Sequence, residues 1–167
     1  QLQQRDDVEI YLASELAADD ILELGARHVL IATGARWRRN GTGRSHMRPV
    51  PGHERALGAD DIMDGARPTG PVVIYDDDGS YLASALAEEL RATGAEVAVV
   101  TPAAQMAPWT ALTLEQEFIT ERLHEAGIVM VTAHRMVEIT GDAVRLADAV
   151  TGAVREMAAA AVVMVTA

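Results

Sequence analysis

Two apolar segments flank a helical segment within residues 71–100, and this pattern constrains the fold most. Residues 71–75 form a short uncharged run, typical of a strand buried on both faces. Residues 80–93 place Leu and Ala at helical spacing, and Gly94 supplies a stop. Residues 95–100 repeat the buried-strand pattern. Strand, helix and strand in about 30 residues predict a right-handed parallel crossover.

The residues that follow extend this unit. We predict a further helix at 113–126 and a third parallel strand at 128–131. Three short segments separated by turn pairs follow at 136–140, 143–147 and 153–158, and a last buried strand lies at 161–165. The predicted fold class is therefore α/β. It combines a Rossmann-like parallel sheet and crossover helices with a small antiparallel β-meander, like the NAD-binding domain of flavoproteins with two dinucleotide domains.

The first 70 residues form a less self-contained unit. We predict a strand at 8–12, a helix at 18–24 and a buried strand at 28–32. Residues 35–59 are rich in Gly and Pro, and so long an irregular stretch favours a crossing between two domains. The predicted domains are 1–67, with the crossing loop, and 68–167; the family resemblance given below implies a partial FAD/ADP-binding-like segment for the first and an NAD(P)-binding-like Rossmann domain for the second.

Composition excludes several classes of function. The chain has no cysteine, and all 14 basic residues are arginine, so it carries no disulfide, iron–sulfur ligand, P-loop lysine or Schiff-base lysine. A net charge of −11 argues against nucleic acid or an anionic membrane as partner. No apolar run reaches the roughly 20 residues of a membrane span, and the polar N-terminus does not resemble a signal peptide. A cytoplasmic protein is expected.

The turn after the first crossover strand is acidic. A dinucleotide-binding turn needs small residues at three places, which fall here at Asp78, Ser80 and Ala83. We interpret Gly79, Ser80 and Tyr81 as a degenerate NAD-like cofactor-binding turn, because carboxylates stand where a pyrophosphate would bind. Thr101 also replaces the expected ribose-binding acid. The three carboxylates of residues 76–78 are predicted to cap the following helix.

The same turn also resembles the first motif of haloacid-dehalogenase-type phosphatases. That resemblance implies Asp76 as nucleophile, Asp78 as acid, Mg²⁺ between them and phosphate, and Thr101 as a phosphate-binding hydroxyl. The family also needs a lysine and a late acidic pair, and this sequence has neither. This reading remains the weaker alternative.

A second candidate motif is the tripeptide Ala32-Thr33-Gly34 with the nearby Trp37. Small residues after a strand let the backbone approach a ligand closely, and Trp37 offers a stacking face. We predict a weak contact to the ADP- or FAD-like half of a cofactor, against the alternative of an ordinary exposed loop. The five histidines have no metal-ligand spacing, so neither a metal site nor a catalytic residue is predicted.

Several segments together resemble one known family. They are residues 28–41, 48–52, 73–78, 99–103 and 109–110, followed by the C-terminal 161–167. Together they are similar to the C-terminal part of trimethylamine-dehydrogenase-like enzymes, in the NADH:flavin oxidoreductase (old-yellow-enzyme) group. The sequence Tyr75-Asp76-Asp77-Asp78 is typical of that branch, whose relatives include histamine and dimethylamine dehydrogenases.

The resemblance implies a larger parent enzyme. Such enzymes have a barrel that binds FMN, a 4Fe-4S cluster and two dinucleotide-domain-like regions, the first a possible site for ADP. They oxidise small amines and pass electrons to an electron-transfer flavoprotein. The chain is thus expected to be a non-catalytic fragment without a cofactor, with the flavin barrel and FAD-like domain of its parent as partners. The open alternative is a functional NAD(P)H-binding domain.

Overall fold

The computed structural model describes residues 7–166. The chain divides into two compact units with the boundary between Ala35 and Arg36, and each is described separately. Within the described residues no helix is both long and apolar enough to cross a membrane.

A five-stranded sheet and a three-stranded sheet form the second unit. In chain order the strands are β1 Leu57–Gly58, β2 Pro71–Asp76, β3 Glu96–Val100, β4 Val129–Val131, β5 His134–Ile139, β6 Ala143–Asp148, β7 Val154–Ala158 and β8 Ala161–Val165. The larger sheet has the order β1-β8-β2-β3-β4 and is parallel throughout. Strands β5, β6 and β7 form the antiparallel meander. The predicted α/β class with a parallel sheet and a small meander is confirmed.

Four α-helices accompany these strands in the described chain. They are α1 Ala18–Glu23, α2 Ala59–Met63, α3 Leu82–Ala92 and α4 Gln116–Glu125, with 3₁₀ turns at His53–Arg55 and Pro108–Thr113. The helix predicted at 80–93 is α3, and its buried face includes Leu86 and Leu90. It ends because Gly94 takes φ +92°, a conformation that costs glycine little.

The parallel sheet has a core on each face, because alternate residues of a strand point to opposite sides. Val72 and Ile74 of β2 pack with α2, α3 and α4 on one face. Val73 and Tyr75 pack on the other face with the meander, against buried residues of β5 and β6 such as Met136 and Leu146. The meander therefore covers the face that lacks crossover helices.

Two strands predicted in the first unit are not present among its described residues. Its helix α1 lies where a helix was expected, but neither residues 8–12 nor residues 28–32 form a strand. No described residue before Arg36 is buried, and Leu30 is 92% exposed. An apolar run becomes a buried strand only when a neighbouring strand supplies hydrogen bonds and another layer covers it. Within the described residues of this unit neither is present.

Residues 36–56, which we call the strap, belong to the second unit. Apart from the 3₁₀ turn His53–Arg55 they are irregular, as predicted for most of 35–59. An isolated bridge joins Arg38 to Thr166, just after β8. At the other end, the N–H of Ile139 donates to the Pro51 carbonyl at 2.9 Å. Gly52 lies so close to Ile139 that a Cβ would be 1.9 Å from its carbonyl oxygen. The assignment of residues 1–67 to a flavin-binding half remains a prediction.

Candidate functional site

The acidic turn follows β2 at the carboxyl edge of the parallel sheet. From β2 the chain proceeds outward through β3 and β4, and it later returns to the other side of β2 as β8. Ligands of open parallel sheets bind at such a reversal of strand order. A cavity of about 210 Å³ opens at this edge, lined among others by Arg44, Asp76, Asp77, Asp78, Thr101 and Trp109.

Asp76 is the last residue of β2, and only 1% of it is exposed. Its Oδ1 accepts a hydrogen bond from the N–H of Gly79 at 2.8 Å. Burial raises the pKa of Asp76 to about 7, while the hydrogen bond from Gly79 acts in the opposite direction. This carboxylate thus occupies the backbone N–H of Gly79, which would otherwise be free to donate to a phosphate at the turn.

The prediction that the carboxylates cap α3 is wrong. The helix begins at Leu82, and its N-cap Tyr81 makes no side-chain capping bond. Asp76 instead closes its own turn, and Asp77 accepts from the N–H of Ser45 at 2.8 Å. The reason is distance along the chain: a capping side chain lies two or three residues before the N–H it binds, and the turn carries the carboxylates further upstream.

Gly79 is packed against residues about 30 positions away. It has φ +74°, and a Cβ at this position would lie 3.1 Å from Cδ1 of Trp109 and 3.2 Å from Cγ of Pro108. The N–H of Trp109 also donates to the Gly79 carbonyl at 3.0 Å. The space beside the turn at Gly79 therefore contains the Pro108-Trp109 segment.

Arg44 completes this arrangement from the strap. Its Cζ lies 4.9 Å from the centroid of the Trp109 ring, within the range of a cation–π interaction. Ser80 is half-buried and Tyr81 is 65% exposed. Of the three residues predicted as the cofactor-binding turn, Gly79 lines the cavity, whereas Ser80 and Tyr81 do not.

The residues of the phosphatase alternative share the cavity. Asp76, Asp78 and Thr101 all line it, and the Thr101 hydroxyl accepts from the N–H of Ala103 at 3.2 Å. Within residues 7–166 no group of three His, Cys, Asp or Glu side chains is arranged to hold a metal ion.

The flavin-side candidates lie in different units. Ala32, Thr33 and Gly34 are exposed residues of the first unit. Trp37 belongs to the second unit, where it packs against the core and its N–H donates to Asp60 at 2.7 Å. Whether any of the four contacts a cofactor stays a prediction.

Sequence reasoning missed Arg44, Ser45 and Trp109 as parts of the turn's environment. Gly41 and Gly43 signal a tightly folded loop, and Pro108 before an aromatic residue signals a 3₁₀ turn. Neither signal says which distant backbone the loop or the turn will contact.

Known proteins resemble this chain over most of its length. Dimethylamine dehydrogenase from Hyphomicrobium sp. (strain x) is 34% identical over 118 residues, which are 68% of this chain and 16% of that protein. The 6-hydroxypseudooxynicotine amine oxidase structure from Pseudomonas geniculata N1 matches with 41% identity and a TM-score of 0.94, covering 99% of this chain and 25% of that one. Histamine dehydrogenase from Rhizobium sp. 4-9 matches with 37% identity and a TM-score of 0.91, covering 99% and 26%.

The chain thus spans about a quarter or less of these relatives. The family described as the OYE-like second alpha/beta domain matches residues 57–162, which include strands β1 to β7 and the start of β8. The predicted resemblance is confirmed: the chain belongs to the OYE-like second alpha/beta domain family and is homologous to amine dehydrogenases and oxidases of the trimethylamine-dehydrogenase-like type.

Proposed function

We propose that this chain is a non-catalytic nucleotide-fold module of a flavin-dependent amine-oxidising enzyme, and that it binds no NAD(P). The parent would be a cytoplasmic oxidoreductase with FMN and a 4Fe-4S cluster on its other parts, and an ADP site would lie in its FAD-like half. Its partners would be the flavin barrel, that FAD-like half and an electron-transfer flavoprotein. The homology to amine dehydrogenases and an amine oxidase supports this assignment.

The observation that carries the loss of NAD binding is the internal occupation of the turn. The N–H of Gly79 donates to Asp76, and Pro108 and Trp109 contact the place where a Cβ of Gly79 would lie. A pyrophosphate would have to displace both the carboxylate and the indole. The pyrophosphate would gain few hydrogen bonds by doing so, because the N–H of Gly79 already donates to Asp76.

Charge acts in the same direction. Three consecutive aspartates, Asp76 to Asp78, line the cavity in which the phosphates of a dinucleotide would have to bind. Two like charges at about 4 Å repel by roughly 4 kcal/mol at an effective dielectric constant of about 20, which cancels the attraction of a helix N-terminus for an anion. At the end of β3, Thr101 offers no carboxylate to a ribose hydroxyl.

A calorimetric titration tests the proposal. The folded 167-residue chain is titrated separately with NADH, NADPH and ADP, and circular dichroism verifies the fold. We expect no binding of NADH or NADPH tighter than about 1 mM, which corresponds to roughly −4 kcal/mol. NADH binding in the micromolar range would instead establish the alternative, a functional NAD(P)H-binding domain. Binding of ADP alone would show that the chain holds a nucleotide without accepting NADH or NADPH.

The phosphatase alternative has its own assay. Hydrolysis of a generic phosphate ester with Mg²⁺ is measured for the wild-type chain and for Asp76→Asn. We expect neither protein to exceed the buffer rate. Magnesium-dependent turnover that Asp76→Asn abolishes would favour the phosphatase and contradict the proposed module.

A further inference from the structure

Two polar atoms lie buried without a hydrogen bond where the strap crosses the sheet edge. They are Nε2 of His46 and the hydroxyl of Tyr75, and neither meets hydrogen-bond geometry with a described residue, although the Met136 backbone interacts with the Tyr75 oxygen. The two rings contact each other at a centroid distance of 5.7 Å and an interplanar angle of 53°. Tyr75 is fully buried. A buried polar group without a hydrogen bond is unfavourable, so this contact destabilises the closed strap.

The neighbouring contacts hold the middle of the strap, residues 41–48, against the turn. Asp77 accepts from the N–H of Ser45, and Gly43 lies so close to Asp77 that a Cβ would be 2.5 Å from its Oδ2. Arg44 lies over Trp109. Residues at both ends of this stretch are attached separately, Arg38 to Thr166 and Pro51 to Ile139. The attachments of the two ends therefore do not depend on the contacts of the middle.

We propose that the middle of the strap is a pH-responsive cover over the turn, closed while His46 is neutral and released when His46 takes up a proton. Release uncovers Tyr75, Asp77 and the Trp109 face. This inference is independent of the proposed amine-oxidising parent, because it concerns only contacts within residues 36–166.

The groups that surround His46 determine the sign of the effect. Burial lowers the pKa of His46; Asp77 raises it and Arg135 of β5 lowers it further. Tyr75 remains neutral, because burial raises the pKa of its hydroxyl. A base whose pKa is lower in the closed state binds its proton more tightly in the open state. Closure is therefore fully favourable above the ordinary pKa of about 6.5 and is lost as the pH falls through it.

A single cysteine reports on the cover, because the chain has no cysteine of its own. Ser45→Cys keeps the backbone N–H that bonds to Asp77. The rate of thiol labelling in the folded chain is divided by the rate in the unfolded chain at the same pH, which removes the titration of the thiol. We expect protection to fall between about pH 8 and pH 5.5, by up to about tenfold, since one proton gives at most about tenfold per pH unit below about 6.5.

Matched variants isolate His46. In the Ser45→Cys background, His46→Phe removes the titrating group and keeps the ring contact, so protection should be independent of pH. His46→Gln is the second variant should the first fail to fold. Arg135→Gln, which removes a repulsive charge, should make the fall smaller. Thr151→Cys, at an exposed turn, should show no change with pH.

Asp76 titrates nearby and must be separated from His46. The fall in protection should persist when Asp76→Asn is added to Ser45→Cys. Equal protection at both pH values in Ser45→Cys would overturn the proposal, as would a fall that persists with His46→Phe. Neither result would bear on the binding of NADH, which tests the proposed function.

Discussion

At the scale of single residues, the turn is organised by one buried carboxylate. Asp76 is 1% exposed and accepts a hydrogen bond from the N–H of Gly79. Burial disfavours its charged form more than that bond favours it, so its pKa rises to about 7. A group of this kind makes the stability of the fold depend on pH.

Asp76→Asn should remove part of that dependence. The folded pKa of Asp76 is raised above its ordinary 3.8, so the folded state binds the proton more tightly than the unfolded state. The contribution of Asp76 to the free energy of unfolding is fully present below about pH 4 and is lost as the pH rises to about 7. The loss is roughly 4 kcal/mol, at about 1.4 kcal/mol per pKa unit. We expect Asp76→Asn to be more stable than wild type at about pH 8 and to lack this decline.

Urea unfolding between about pH 4 and pH 8 measures the effect through the free energy of unfolding. The control is Asp142→Asn, a change of the same chemistry at an exposed turn, which should leave the wild-type pH dependence intact. If Asp76→Asn follows the wild-type curve in parallel, Asp76 is ionised throughout and the argument is wrong.

Gly79→Ala should destabilise the chain more than Gly94→Ala. Both glycines have positive φ, but Gly79 also lies against Pro108 and Trp109, whereas nothing lies within 4 Å of a Cβ at Gly94. Each substitution costs roughly 1–2 kcal/mol for the left-handed backbone, and contact with the rings adds about 1 kcal/mol at Gly79. The free energies of unfolding provide the comparison. Equal losses at the two sites would mean that the Trp109 segment moves aside freely.

At the scale of elements, α3 and the meander cover opposite faces of one sheet. Leu90 of α3 is fully buried with Val72 and Ile74 of β2. The turn between β6 and β7 is fixed locally instead: the Asp148 carboxylate accepts from the N–H of Val150 and from the N–H and hydroxyl of Thr151. These hydrogen bonds, Thr151 first, lower the pKa of Asp148.

Leu90→Ala should lower the free energy of unfolding by about 2–5 kcal/mol, because it removes buried methyl groups and leaves a cavity between α3 and β2. Leu112→Ala is the matched control: Leu112 is 80% exposed, and its truncation should change the free energy by less than about 0.5 kcal/mol. Thermal or urea unfolding checks both. A loss at Leu90 no larger than that at Leu112 would contradict the position of α3.

At the scale of the whole molecule, the two units differ in how much they bury. The described residues before Arg36 contain none that is buried, and α1 has six residues with no buried side chain. A helix this short is marginal without packing. The second unit carries both core clusters.

Hydrogen exchange should separate the units. We expect the amides of α1 to exchange near their unprotected rates, and those of Val73 and Ile74 at the centre of the sheet to be slower by about 10³-fold or more, since they exchange only on global opening. Mass spectrometry of peptides from residues 15–25 and 71–76 measures this difference. Comparable protection in both peptides would contradict the exposure of the first unit.

The sequence alone determined the main elements of the second unit from the strand at 71–75 to the meander and the final strand at 161–165, but it did not predict β1 or α2. Apolar periodicity, glycine stops and turn pairs are local signals, and each element buries the face that its own pattern marks. The family resemblance rests on the same residues.

Only the tertiary structure shows which residues the acidic turn contacts and that the apolar run at 28–32 is exposed. The partners of the turn, Ser45 and Trp109, lie about 30 residues away on either side, and no local pattern specifies such contacts. Burial of residues 28–32 likewise depends on strands beside them, which the described part of their unit does not supply. The local sequence sets which secondary structure a segment prefers, whereas long-range packing decides which residues that segment contacts.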